Sequence, residues 1–164
     1  MEITDWYGDD VAATYDDDTA GMSTPDALGP QLDVLEVLAS GGSVLELAIG
    51  TGRVGLPLAQ RGLRVAGIEL SAAMVARLRG KPGGDETSIP VLVGDMTTEQ
   101  RQGAGSFSLV FLVFNSLQNL TTQQAQRACF NQAATRLGAG GDIHGAAPAP
   151  GSRWRRRERW ILGV

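Results

Sequence analysis

The chain has 164 residues, 43% of them apolar and 20% charged, with 18 acidic against 14 basic side chains. That is long and apolar enough for one domain with a real core, and it excludes a disordered or fibrous chain. A single cysteine, Cys129, excludes an internal disulfide and a cysteine-built metal centre, and no run approaches the roughly 20 apolar residues of a membrane-spanning helix.

Residues 1–22 are acidic and short of aliphatics, with Asp9, Asp10 and the run Asp16–Asp18. They read as a loop or mobile lead-in carrying a solvated charge run, and they do not resemble a signal peptide, so the expected location is cytoplasmic. Ser23-Thr24-Pro25-Asp26 combines a hydroxyl cap with a proline where a missing N–H costs nothing. Leu32, Leu35 and Leu38 then recur at helical spacing until Gly41-Gly42. Val44–Ala48 is a short apolar strand that breaks into Gly50-Thr51-Gly52, and a helix is expected from about Arg53 to Gln60. Arg64–Ile68 reads as a second strand. Ser71 caps a helix carrying Met74, Val75 and Leu78, which Pro82-Gly83-Gly84 ends.

A third strand, Pro90–Val93, leads into Gly94-Asp95-Met96. Phe107–Phe114 is apolar without alternation, as a strand covered on both faces must be. Thr121 with Gln124 has the spacing of a capping box for a helix reaching about Leu137, after which Gly138–Gly141 stops it. Cys129 lies on the apolar side of that helix and reads as packing.

Strands alternating with helices imply an α/β fold: a Rossmann-like, doubly wound, mostly parallel sheet with helices on both faces. Ligands in such sheets sit beyond the C-terminal strand ends, where the strand order reverses. The loops at those ends are Gly50–Gly52, Glu69–Ser71, Gly94–Met96 and Phe114–Asn119, each carrying glycine or polar residues. Gly50-Thr51-Gly52-Arg53-Val54-Gly55 matches the dinucleotide pattern G-x-G-x-x-G, with Glu69 at a suitable distance, so a nicotinamide-dependent oxidoreductase domain is one reading. Against it, Glu46, Glu69 and Asp95 offer three carboxylates and no lysine, which suits a cationic, amine-bearing ligand better than a pyrophosphate. Convergence of these three groups on one crevice is the central expectation.

At these residues the chain resembles the class I S-adenosylmethionine-dependent methyltransferases. Glu46-Leu47-Ala48-Ile49-Gly50-Thr51-Gly52 looks like the family's first motif, E-x-G-x-G, with Ala48 at the first glycine as a small-for-small change. The resemblance implies that Glu69 holds the ribose hydroxyls, with Leu70 and Met74 beside it. It implies that Gly94-Asp95-Met96 meets the adenine, and that Phe114 and Asn115 line the cofactor and substrate side. Trp6–Asp18, with Tyr15-Asp16, is similar to a lead-in that covers the cofactor. The implied cofactor is S-adenosylmethionine and the implied acceptor a small molecule. The residues identify no catalytic base, and no metal site is expected. A non-catalytic binding module that kept the fold is the remaining alternative.

Residues 142–164 depart from this pattern: a Pro/Ala/Gly patch is followed by Arg153, Arg155, Arg156, Arg157 and Arg159. Residues 1–152 hold nine basic against seventeen acidic side chains, so the body repels a polyanion and nucleic-acid binding would rest on the tail alone. The organisation read here is an acidic lead-in over 1–22, a methyltransferase-like domain over 23–141 and an atypical tail over 142–164. The resemblance calls for a fifth strand after Gly141 and then an antiparallel pair. Asp142–Ala147 supplies a stub at most, and His144 falls within it, so the C-terminal strands are expected to be incomplete. The tail reads as a flexible basic arm, a simple solvated extension or, the preferred reading, a truncated or frame-altered ending. Without a fifth strand Phe107–Phe114 becomes an open sheet edge, through which self-association is expected.

Overall fold

The computed structural model describes residues 5–98, 105–146 and 160–163, with backbone alone from residue 141 onward. Among these residues six strands form one sheet: β1 (Ser43–Leu47), β2 (Arg64–Glu69), β3 (Val91–Val93), β4 (Phe107–Leu112), β5 (Leu137–Ala146) and β6 (Trp160–Gly163). Their order is β3-β2-β1-β4-β5-β6, and every adjacent pair is parallel. The chain steps outward from β1 to β3 and then returns to the other side of β1, so the order reverses between β1 and β4. Among the described residues, five α-helices accompany the sheet: α1 (Asp9–Asp18), α2 (Pro25–Ala39), α3 (Gly55–Gln60), α4 (Ala72–Arg79) and α5 (Gln123–Arg136). No described helix is long and apolar enough to cross a membrane.

The unbroken apolar run of β4 is explained by burial on both faces. Leu109, Phe111 and Val113 join Val44 of β1 against Leu28, Leu32 and Leu35 of α2 and Leu58 of α3. Val110 and Leu112 point the other way, with Leu45 and Leu47, against Ala125, Cys129 and Ala133 of α5. Two layers of helix thus sandwich one sheet, the doubly wound arrangement expected from the alternation of elements. Cys129 is 1% exposed, and burial pushes its thiol up to about 12, in keeping with packing.

Several local expectations are corrected. The lead-in is not a loop: it forms α1 and a 3-10 turn over Ala20–Met22. Ala12 is its one buried residue, so tertiary docking, not an apolar stripe, holds it helical. Asp16 is no solvated charge, because it accepts hydrogen bonds from Thr51 Oγ1 (2.5 Å) and Lys81 Nζ (2.9 Å). β4 stops at Leu112, short of Phe114, because Phe114 and Asn115 turn into the left-handed region at φ 58° and 56°. α4 ends at Arg79 with Gly80 as its C-cap, before the Pro82 stop. The cap of α5 is Thr122, whose Oγ1 accepts from Ala125 N–H at 3.1 Å, in place of Thr121.

The largest correction concerns β5. It begins at Leu137, directly after α5, and pairs with β4 through Leu109↔Asp142 to Leu112↔Gly145. β4 is therefore an interior strand and not the open edge on which self-association was to rest. β6 pairs in parallel with β5, from Ile143↔Trp160 to Ala146↔Gly163. Residues 142–146 and 160–163 thus belong to the same sheet as the rest of the domain. Arg153, Arg155, Arg156, Arg157 and Arg159 lie outside the described residues.

Candidate functional site

A cavity of about 80 Å³ opens at the C-terminal ends of β1 to β4, where the strand order reverses. Each of the four anticipated loops contributes to its lining. Ala48 and Gly50 come from the turn after β1, Glu69 and Leu70 from the end of β2, and Gly94, Asp95 and Met96 from the turn after β3. Phe114 comes from the turn after β4, Met74 from α4, and Tyr15 from α1. Glu46, Thr51, Gly52 and Asn115 are not among the lining residues. Asp5, Trp6, Tyr7, Ile68, Ser116, Asn119 and Leu120 also line it.

The turn after β1 is shaped by three left-handed residues, Ala48 (φ 55°), Gly50 (φ 59°) and Gly52 (φ 82°). Only glycine adopts this region freely. A side chain at Gly52 would also meet Leu78 Cδ1 at 2.4 Å. Glu69 ties this turn to the next one: its Oε2 accepts Gly50 N–H at 2.8 Å and its Oε1 accepts Ser71 N–H at 2.9 Å. Each carboxylate oxygen has a further lone pair, so a ligand donor can still be received. Glu69 is 6% exposed, and burial raises its pKa against the lowering pull of the Ser71, Gly50 and Leu70 amides.

Glu46 departs from the expected convergence. It lies at 2% exposure inside β1, beneath the glycine turn. Burial raises its pKa well above the usual carboxylate range, with Arg53 and the Gly55 N–H pulling it down and Glu69 adding to the rise. Its Oε2 has no hydrogen-bond partner among the described residues and stands 2.7 Å from where a Cβ on Gly55 would be. Removing this unpaired oxygen from water favours the neutral form of the carboxyl, which is the cause of the rise. Glu46 therefore underpins the turn from within, receiving the first N–H of α3, which has no side-chain cap of its own.

Asp95 lines the cavity while closing its own turn, accepting from Thr97 N–H (2.7 Å) and Thr97 Oγ1 (2.6 Å). Above the cavity, the segment from Asp5 to α1 is fastened at several points. Ser71 Oγ donates to Tyr7 O (2.6 Å), Arg77 to Ala13 O (3.1 Å), and Lys81 Nζ to Asp16 Oδ1 (2.9 Å). The Tyr7 and Tyr15 rings meet edge to face at 6.0 Å and 80°. Burial keeps the Tyr15 phenol raised and hence neutral, despite the opposing charge of Arg53.

Arg53 escaped the sequence reading, which took it only as the first residue of a helix. Its guanidinium sits 4.9 Å over the Phe114 ring. The signal was present: it is the one charged residue within the Gly50–Gly55 turn. Among the described residues no cluster of His, Cys, Asp and Glu could hold a metal.

Comparison with known proteins agrees with this architecture. A family profile described as a methyltransferase domain matches residues 44–141. The CcbJ methyltransferase from Streptomyces caelestis superposes with a TM-score of 0.62 at 34% identity, over 69% of this chain and 45% of that one. DesVI from Streptomyces venezuelae gives 0.66 at 25% identity, over 80% and 55%. A Geobacillus sp. (strain WCH70) protein named as a methyltransferase is 29% identical over 89 residues, 54% of this chain and 35% of its own length. The chain thus spans about a third to a half of these relatives. The profile match covers more than half of the chain and includes the turns after β1, β2, β3 and β4, and on that ground the chain belongs to the class I S-adenosylmethionine-dependent methyltransferases.

Proposed function

We propose that the cavity binds S-adenosylmethionine and that the chain transfers its methyl group to a small-molecule acceptor. The observation that carries this reading is the Glu69 carboxylate, which is fixed at the end of β2 by two backbone N–H groups and lines the cavity. Two oxygens held in one plane suit a pair of vicinal hydroxyls such as those of a ribose. Asp95 and Met96 line the same cavity beyond the short strand next to β2, in reach of an adenine edge.

The donor set also favours this ligand over a nicotinamide dinucleotide. Asp5, Glu69 and Asp95 line the cavity, and among the described residues no lysine or arginine does. A pyrophosphate would meet carboxylates there, whereas a sulfonium and an ammonium meet opposite charge. When bound, the cofactor supplies an electrophilic methyl whose transfer to a nucleophilic lone pair leaves a neutral thioether. The chain's own part is to position and to exclude water: the glycine turn and Glu69 orient the ligand, and Tyr7 and Tyr15 cover it. No lining side chain is assigned as a base.

The test is calorimetric titration of the chain with S-adenosylmethionine, S-adenosylhomocysteine and NAD. Binding of the first two and not the third supports the reading, and the reverse pattern sinks it. Glu69→Gln should weaken the adenosyl ligands by about 1–3 kcal/mol, the range for a lost buried hydrogen bond to a charged group.

A further inference from the structure

Arg53 is a cation placed against the lining of a cavity whose described charged lining residues are acidic. Its guanidinium lies 4.9 Å above the Phe114 ring, and Phe114 lines the cavity. The only other contact it makes among the described residues is a long one, Nη1 to Met22 O at 3.4 Å. Arg61, Arg79 and Lys81 each pair with a carboxylate, while no ion pair is found for Arg53 among the described residues. Most of its fork of N–H donors is therefore open to a ligand.

Its neighbours show where it points. Its positive charge bears on both Tyr15, which covers the cavity, and Glu46, which lies beneath the glycine turn. With its seat on Phe114, this places it beside the turn after β1, at the margin of the cavity. The seat beneath it is a strained position: Phe114 is 43% exposed and takes a left-handed backbone conformation that non-glycine residues avoid. A ring face fixes the plane of a guanidinium and leaves its edge free for a bidentate partner.

We propose that Arg53, seated on Phe114, is the carboxylate anchor of the site and takes the α-carboxylate of the adenosyl amino acid. This rests on the cofactor reading above and goes beyond it, because it sets the ligand's direction and assigns a residue to its only anionic group. A carboxylate placed at the other end would face Glu69 and Asp95. Placed here, it meets the planar fork that matches its two oxygens. The anchor also makes the site read the amino-acid half of the ligand separately from the adenosine half.

That separation supplies the experiment. S-adenosylhomocysteine carries the carboxylate, and 5′-methylthioadenosine shares the adenosine and thioether but lacks the amino acid. Both are titrated calorimetrically into the unaltered chain, Arg53→Gln, Arg53→Lys and Phe114→Leu. In the unaltered chain S-adenosylhomocysteine should bind more tightly. Arg53→Gln should weaken it about 10- to 100-fold, as loss of a charged hydrogen-bonded pair does, while methylthioadenosine stays within about twofold. Arg53→Lys should retain part of the preference, because the charge remains without the fork, and Phe114→Leu should shrink it in the same direction. Unchanged methylthioadenosine affinity also shows that the Arg53 variants are folded, and far-ultraviolet circular dichroism shows it for Phe114→Leu. An unchanged ratio of the two affinities in Arg53→Gln overturns the anchor, as does equal weakening of both ligands. If the unaltered chain binds methylthioadenosine as tightly as S-adenosylhomocysteine, the anchor fails while the cofactor reading stands. If it binds neither, the cofactor reading fails and the anchor with it.

Discussion

Ala48 occupies a position that its backbone reserves for glycine. At φ 55° the Cβ crowds the following carbonyl, at a cost of roughly 1–2 kcal/mol for an L-residue. Ala48→Gly should therefore raise the unfolding free energy by about 0.5–1 kcal/mol, the larger freedom of glycine in the unfolded chain offsetting part of the relief. Urea denaturation measures it, and a destabilised variant would contradict it. Gly55 is constrained differently, by space. A methyl there would stand 2.7 Å from Glu46 Oε2 and 2.9 Å from Ile49 Cδ1, so Gly55→Ala should cost about 1–3 kcal/mol. Glu46 gives a pH signature. Its folded pKa is raised above the unfolded value of 4.5, so the folded state holds the proton more tightly. Its contribution is fully present below pH 4.5 and declines as pH rises towards the folded pKa. Glu46→Gln should remove this decline, so that the denaturation midpoint of the variant gains on the unaltered chain as pH is raised from 4.5 to 8. Glu69 and Asp95 could be read from spacing alone, because a strand end followed by a polar turn has one place to go. That Glu46 lies under the turn and Arg53 over Phe114 could not, since both depend on how the turn stacks on α3 and β4.

Among the elements, α1 departs furthest from its sequence signal. Asp9–Asp18 carries a single buried residue, so no apolar periodicity announced a helix. Its stability comes from contacts made after folding: Asp16 with Thr51 and Lys81, and Ala13 with Arg77. By contrast, Thr24, whose side chain accepts Ala27 N–H, and Ser71, which accepts Met74 N–H, are local signals, and both caps stand where the residue types put them. The position of α1 bears on ligand entry. The cavity it covers holds about 80 Å³, against about 300–1,000 Å³ for sites that enclose a ligand of cofactor size. Tyr7 and Tyr15 must therefore shift outward for an adenosyl amino acid to enter. Asp16 and Lys81 form the polar fastening that resists this. Burial works against the Asp16 charge, but the hydrogen bonds from Lys81 and Thr51 outweigh it and lower its pKa. Asp16→Asn should loosen α1, raising the association and dissociation rates of S-adenosylhomocysteine together by severalfold. Stopped-flow fluorescence of Trp6, which lines the cavity, would follow both. Unchanged rates with an intact fold would show that α1 does not gate the site.

For the molecule as a whole, the decisive feature is which strands close the sheet. The apolar character of β4 announced that both its faces are covered, and the two core layers around Leu109, Phe111, Val110 and Leu112 agree. Which strand lies at its side could not be read from residues 137–146, because eight of those ten are glycine, alanine or a charged or imidazole residue. Such a strand is recruited by the hydrogen-bonding edge of its neighbour more than by its own side chains. Its backbone pairs with Leu109–Leu112 over Asp142–Gly145. Removal of residues 142–164 should then convert β4 into an exposed, apolar ladder over those positions, an arrangement that templates pairing with another chain. The truncated chain should sediment as larger species at concentrations where the full chain keeps a smaller distribution, and it should lose soluble yield. The comparison is internal to one protein, so it isolates the edge from any contact the intact surface makes. Equal sedimentation of the two chains would mean that the β4 edge is protected without β5, and that the cavity at the C-terminal ends of β1–β4 can be held by those four strands alone.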